Sequence, residues 1–229
     1  MKSRQHNIED SNTFHWSSNS LSKLIPERVA ILRKHLKGEN ALDLGCAQGA
    51  YTDFVRSLGF CTIGLDISTD LLTAASRRFQ QSFFILGDCT RLCFSDASFD
   101  NVIAFDLIEH VDDDLLLTEV CRVCRGTVIL SFPLRYHETL GRNGLIYWHY
   151  QDHSHLRYYE LAAMPALLSR PGLRQIESIE VDPVDLASAF INSLDYSSIT
   201  RRIIGKLIRA LRIRKYPQTL IVACAVLPR

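Results

Sequence analysis

The sequence predicts an α/β domain: a mostly parallel sheet with helices on both faces. Short apolar segments alternate with amphipathic ones from residue 41 onward. A glycine-rich turn joins the first strand to its helix, and acids stand at or beside the ends of the first three strands.

The elements follow in order. Residues 26–36 have helical periodicity with Pro26 at the start. Strands are expected at 41–44, 62–65, 83–86, 101–105, 127–132, 176–181 and 220–226. Helices are expected at 50–58, closed by Gly59, and at 69–79, 112–123 and 159–169. Asp112, Asp113 and Asp114 suit a helix start, where free N–H groups and the positive dipole end favour carboxylates. Two segments interrupt the alternation: a loop at 133–157, rich in His and Tyr, and a helical insertion at 183–215. Residues 1–25 read as an N-terminal arm and 26–229 as one domain.

Hydrophobic residues make up 47% and charged residues 22%, as in an ordinary globular protein. The net charge of +1 argues against a protein held to nucleic acid by its overall charge. The polar start lacks a signal-peptide core, and no apolar run is long enough to span a bilayer. With that, the odd count of seven cysteines reads as reduced thiols in the cytoplasm.

The informative stretch is Ala41-Leu42-Asp43-Leu44-Gly45-Cys46-Ala47-Gln48-Gly49, at a strand-to-helix turn. Glycines at 45 and 49 let backbone approach a ligand without a Cβ clash. Alanine at 47 breaks the G-x-G-x-x-G spacing of dinucleotide binders, which argues against a dinucleotide-dependent oxidoreductase. Asp43 suits a ligand bearing an ammonium group better than a pyrophosphate. Asp66 ends the second strand, where a carboxylate can accept both hydroxyls of a ribose, and Ile67 can pack on an adenine face. Asp88 follows the third strand, placed to accept from an exocyclic amine. By itself the turn is equally a plain βα connection, and each acid alone is equally a cap; together they point to a nucleoside ligand.

With these residues in view, the chain resembles the class I S-adenosylmethionine-dependent methyltransferases. Asp43 to Gly49 is similar to their first motif, Gly64-Leu65-Asp66 to the end of their second strand, and Gly87-Asp88 to their third-strand motif. Phe99 to Val111 and Glu119 to Gly126 resemble their fourth-strand segment and the turn before their fifth strand. The resemblance implies a three-layer Rossmann-like fold whose seven-stranded, mostly parallel sheet has an antiparallel last strand. It implies S-adenosylmethionine as cofactor. Gly45, Cys46 and Gly49 would cradle its methionine part, with Asp43 ordering the turn or the amino group. Asp66 would take the ribose, Asp88 and Cys89 the adenine, and Phe105 and Asp106 would line the methionine side. The chain departs from the family at Ala47, a glycine there, which fits if its φ is negative, and at Arg125-Gly126, a shortened turn.

Glu109 and His110 follow the fourth strand and are the candidate catalytic residues, with His110 as base or acceptor-positioning group. No metal is expected. Cys121-x-x-Cys124 lacks a second pair, and His149, His153 and His155 read as a polar loop with His155 structural or lining the pocket. Arg201, Arg202, Lys206, Arg209 and Arg212 flank an apolar helical face in a run without acids. That face is equally a lid or a peripheral membrane contact through 199–215. The expected reaction is methyl transfer to a small-molecule or lipid- or saccharide-linked acceptor, at oxygen. Alternatives are an RNA methyltransferase using the basic helix, although nucleic acid is not the expected partner, and a non-catalytic cofactor-binding module.

Overall fold

The central strands carry unbroken apolar runs because both of their faces are covered. In a computed structural model describing residues 24–142, 147–169, 171–183 and 215–227, the elements are α1 (Pro26–His35), β1 (Asn40–Leu44), α2 (Ala50–Ser57), β2 (Cys61–Asp66), α3 (Thr69–Arg78), β3 (Phe83–Leu86), β4 (Phe99–Ala104), α4 (Asp113–Val123), β5 (Cys124–Pro133), α5 (Glu138–Arg142), α6 (Met164–Ser169), β6 (Leu173–Val181) and β7 (Thr219–Val226). The sheet has seven strands in the order β3-β2-β1-β4-β5-β7-β6. Pairs among β1 to β5 are parallel, and β7 runs antiparallel to both β5 and β6. Most of the N-terminal arm and nearly all of the expected insertion, with its basic face, lie outside the described residues. Among the described residues, no helix is long and apolar enough to cross a membrane.

Alternation along each strand divides the core in two. Leu42, Leu44, Val102, Ala104, Val128 and Leu130 point to the face covered by Leu116, Leu117 and Val120 of α4 and Leu167 and Leu168 of α6. Their neighbours Ala41, Ile103, Ile129, Ile221 and Ala223 point the other way, onto Ile31 and Leu32 of α1 and Val55 of α2. Each fully buried Leu or Ile contributes about 1.5–3 kcal/mol relative to exposure.

Local chemistry sets the element ends. Pro26 opens α1, and Ser68 caps α3 by accepting from the Leu71 N–H at 3.3 Å. Asp112 caps α4, accepting from Leu115 N–H at 3.0 Å. At the foot of α1, Lys34 and His35 both donate to Glu177 of β6. The shortened turn is absorbed into the sheet: β5 starts at Cys124, directly after α4, with a register shift opposite Phe99 and Asn101. A Cβ at Gly126 would lie 2.5 Å from the Asp100 carbonyl, so only glycine fits there.

The expected helix at 159–169 is shorter. Tyr159 instead forms a bridge with Leu134, and the α-helix runs from Met164 to Ser169. The bridge wins because Tyr159 packs its ring on Phe132 in the core, at 5.1 Å between centroids.

Candidate functional site

After β1 the chain builds outward through β2 and β3, then returns to place β4 on the other side of β1. This reversal opens a crevice at the carboxyl ends of β1 and β4, where Leu44 pairs with Ala104. Residues 45–49, Asp66 and residues 105–110 all issue from strand ends around that crevice.

The turn after β1 uses left-handed backbone three times: Gly45 has φ +65, Ala47 +47 and Gly49 +78. The negative φ required of Ala47 is therefore not observed. An L-residue in this region costs about 1–2 kcal/mol, which accounts for glycine as the family's choice. Contacts across the turn hold Ala47 there. Its N–H donates to Asp66 Oδ2 at 2.8 Å, the Cys46 N–H donates to the Leu65 carbonyl at 3.1 Å, and Gly49 N–H donates to the Cys46 carbonyl at 2.8 Å.

Asp66 is buried and also accepts from Ser68 N–H at 2.9 Å, so its carboxylate ties the turn to the end of β2. A carboxylate has about four acceptor positions, which leaves room for ribose hydroxyls. Ile67 beside it is 70% exposed and Leu86, at the end of β3, 58%, so apolar surface is left open there. Asp88 is exposed and turns its Oδ1 to the N–H and hydroxyl of Thr90. Cys89 is buried, and burial pushes its thiol up to about 12. Cys46 is buried as well, its thiol raised for the same reason. A groove of about 380 Å³ between α3 and β3, lined by Leu72, Phe84 and Leu86 among others, contains none of the acids of the crevice.

Asp43 lies under the turn. It accepts from the Thr52 hydroxyl of α2 at 2.6 Å, and burial raises its pKa to about 7. The folded protein therefore holds a proton that the unfolded chain, with a carboxyl near 4, has lost. The Asp43 contribution is most favourable below pH about 4 and is lost as pH rises to about 7. Asp43→Asn keeps an acceptor for Thr52 and removes the titration. Urea unfolding without cofactor should show the variant gaining on wild type by roughly 4 kcal/mol between pH about 4 and 7. A constant difference between the two across that range would show that Asp43 does not titrate in the fold.

The sequence reading missed Arg28. This buried residue of α1 donates from Nη2 to both carboxylate oxygens of Asp106 at 2.6 Å. Its guanidinium lies 4.7 Å from the centre of the Phe105 ring. Burial opposes the Arg28 charge, but Asp106 outweighs it and holds the pKa above its ordinary value. Asp106 has φ +50 and is fixed further by Ser131, which receives its N–H at 2.7 Å and donates to Oδ1 at 2.9 Å. The Phe105 ring packs beneath α1, 5.0 Å from Tyr51. No sequence signal marked Arg28, which lies 78 residues from Asp106 in a helix read only for its periodicity.

Glu109 and His110 fall on a single 3₁₀ turn, Ile108–His110. The His-rich loop folds back on it, with Leu156 N–H donating to the Glu109 carbonyl at 2.8 Å. The loop histidines then part company. His149 reaches the Leu134 carbonyl with Nε2 at 3.0 Å, and His153 is exposed. His155 comes to Glu109 and His110, its Nε2 lying 4.0 Å from Glu109 Oε1 and its ring 4.8 Å from that of His110. Ser154 sits 3.0 Å from His110 Nδ1 and donates to Asp152. Burial, reinforced by Asp106, raises Glu109 well above the usual carboxyl range. Burial, with His110 nearby, lowers His155 to about 4. Cys121 and Cys124 form no disulfide and lie in the core cluster, the place expected of core residues.

Residues 42–132 match the family model described as a methyltransferase domain. Over these residues the chain is similar to that family. The fold agrees: the chain superposes on magnesium protoporphyrin IX methyltransferase of Synechocystis, solved with bound S-adenosylhomocysteine, with a TM-score of 0.60 at 17% identity, covering 87% of this chain and 80% of that one. The chain is 33% identical over 114 residues to malonyl-[acyl-carrier protein] O-methyltransferase of Erwinia billingiae, covering 48% of this chain and 45% of that protein. It is 27% identical over 139 residues to ubiquinone biosynthesis O-methyltransferase of Paraburkholderia phymatum, covering 56% and 58%. The chain thus spans about half the length of the curated relatives it matches.

Proposed function

We propose that the chain transfers a methyl group from S-adenosylmethionine to oxygen of a small-molecule or lipid-linked acceptor. The observation that carries this reading is the convergence of the left-handed glycine turn, Asp66 and the Phe105–His110 segment at one crevice of a chain similar to methyltransferase domains over residues 42–132. The residues fit the cofactor. Gly45, Cys46 and Gly49 would cradle the methionine part, with Phe105 and Asp106 on its far side and Asp43 ordering the turn through Thr52. Asp66 would accept the ribose hydroxyls, and Asp88 and Cys89 would meet the adenine. The exposed side chain of Ile67 would be covered by the ring. The bound cofactor supplies an electrophilic methyl on a sulfonium, so positioning does much of the work. Glu109 and His110, past the methionine end, would face the acceptor. The two curated relatives are both named as O-methyltransferases, which supports oxygen as the accepting atom.

Calorimetry with S-adenosylhomocysteine and with NAD tests the cofactor assignment. S-adenosylhomocysteine should bind and NAD should not; the reverse would overturn the reading. Asp66→Ala should weaken S-adenosylhomocysteine binding by about 1.5–3 kcal/mol, the range for hydrogen bonds to a charged group. Equal affinity in a folded variant would remove Asp66 from the site.

A further inference from the structure

We propose that Glu109, His110 and His155 form a binding site for a divalent transition-metal ion of the zinc class. One candidate ligand atom from each residue lies within 4.8 Å of the others, and no other such group occurs among the described residues. Two imidazoles and one carboxylate are a ligand set suited to zinc and its neighbours, and three protein ligands leave a coordination position open. This departs from the expectation that the chain holds no metal.

A second, independent observation comes from unmet polar atoms. Glu109 is 2% exposed, and its Oε2 has no hydrogen-bond partner. Among the basic groups around it, Arg28 is committed to Asp106. The His155 side chain is 6% exposed, and its Nδ1 also has no partner. Buried carboxylates and imidazoles in this state are costly unless something supplies the missing contact, and a cation does so for the carboxylate and a neutral ring together. The unmet Oε2 and Nδ1 belong to side chains that already approach to 4.0 Å, between Glu109 Oε1 and His155 Nε2. Ligands held about 2.0–2.2 Å from one ion stand roughly 3–3.5 Å apart, so modest side-chain rotations close the set.

The surroundings resemble the outer support of a metal site. Asp152 approaches His155 Nε2 at 3.6 Å, and through Ser154 it reaches His110 Nδ1. A partner on Nδ1 fixes the orientation of the His110 ring, the usual way a second layer orients a ligand. Glu109 and His110 issue from the end of β4 at the crevice. There the ion would take up an acceptor hydroxyl and favour its deprotonated form, with the proton released to water. That role rests on the methyl-transfer reading above; the ion site does not.

The test uses the full chain, stripped with a chelator and titrated with Co²⁺ and Zn²⁺. One Co²⁺ per chain should bind with d–d absorption and no thiolate charge-transfer band, and Zn²⁺ should displace it. His155→Gln and Glu109→Gln should each weaken Co²⁺ by about 100-fold or more, beyond the 10–100-fold lost when only a supporting residue is removed. Ser154→Ala should fall within that lower range. Absence of Co²⁺ binding, a thiolate band, or full affinity in both ligand variants would overturn the site. S-adenosylhomocysteine affinity is measured on the same samples. Loss of ion binding with that affinity intact refutes the metal site alone, whereas ion binding without S-adenosylhomocysteine binding refutes the cofactor reading and leaves the metal site standing.

Discussion

Asp106→Ala is expected to destabilise the protein by about 3 kcal/mol in urea unfolding without cofactor. The variant strips the partner from the Arg28 guanidinium, whose side chain is 9% exposed, and an uncompensated buried charge costs about 3–5 kcal/mol. The lower end applies because the Asp106 side chain is 46% exposed, so water can enter in its place. Adding Arg28→Leu to Asp106→Ala should recover much of the loss, since an apolar side chain suits the pocket formed by Phe105 and Tyr51. The pair would then be strongly non-additive. If the two losses simply add, the contact contributes nothing beyond its parts.

Gly49→Ala is expected to cost roughly 2–5 kcal/mol, combining left-handed strain with overpacking. Gly49 has φ +78, and an added Cβ would lie 2.5 Å from Phe84 Cζ and 3.2 Å from Ala75 Cβ. The Phe84 ring, which lines the groove beside α3, must shift to admit the Cβ, while the left-handed strain at Gly49 stays. Thermal unfolding should show a drop of several degrees with S-adenosylhomocysteine binding weakened in parallel. A variant with wild-type stability would mean that the turn is looser than its backbone geometry implies.

Much of the fold was legible because its signals are local. Helix starts at Pro26 and Asp112 depend on the first few N–H groups. The runs at 101–105 and 127–132 read as strands because residues facing both layers must be apolar. Among the strands, the expected and observed ends differ most at β5 and β6: Cys124 pairs with Phe99 of β4 and Leu173 to Gln175 pair with β7, which lengthens both strands beyond their apolar stretch. The helix expected from Tyr159 was shortened by a contact with a strand far away in sequence, which no local period records.

The sequence by itself determined the order of elements, the glycines of the first turn and the acids at the ends of β1 and β2 and just past β3, because each follows from backbone geometry within a few residues. Only the tertiary structure decided which of those groups meet. Ala47 adopts φ +47 because Asp66, 19 residues on, accepts its N–H across a neighbouring strand. Arg28 finds Asp106 because α1 packs over the sheet beside β4. Of the three histidines in that loop, His155 reaches Glu109, because the loop backbone is pinned at Leu156 to the Glu109 carbonyl. Such meetings depend on how a crossover or loop returns to the sheet, a property of packing that residue spacing does not encode.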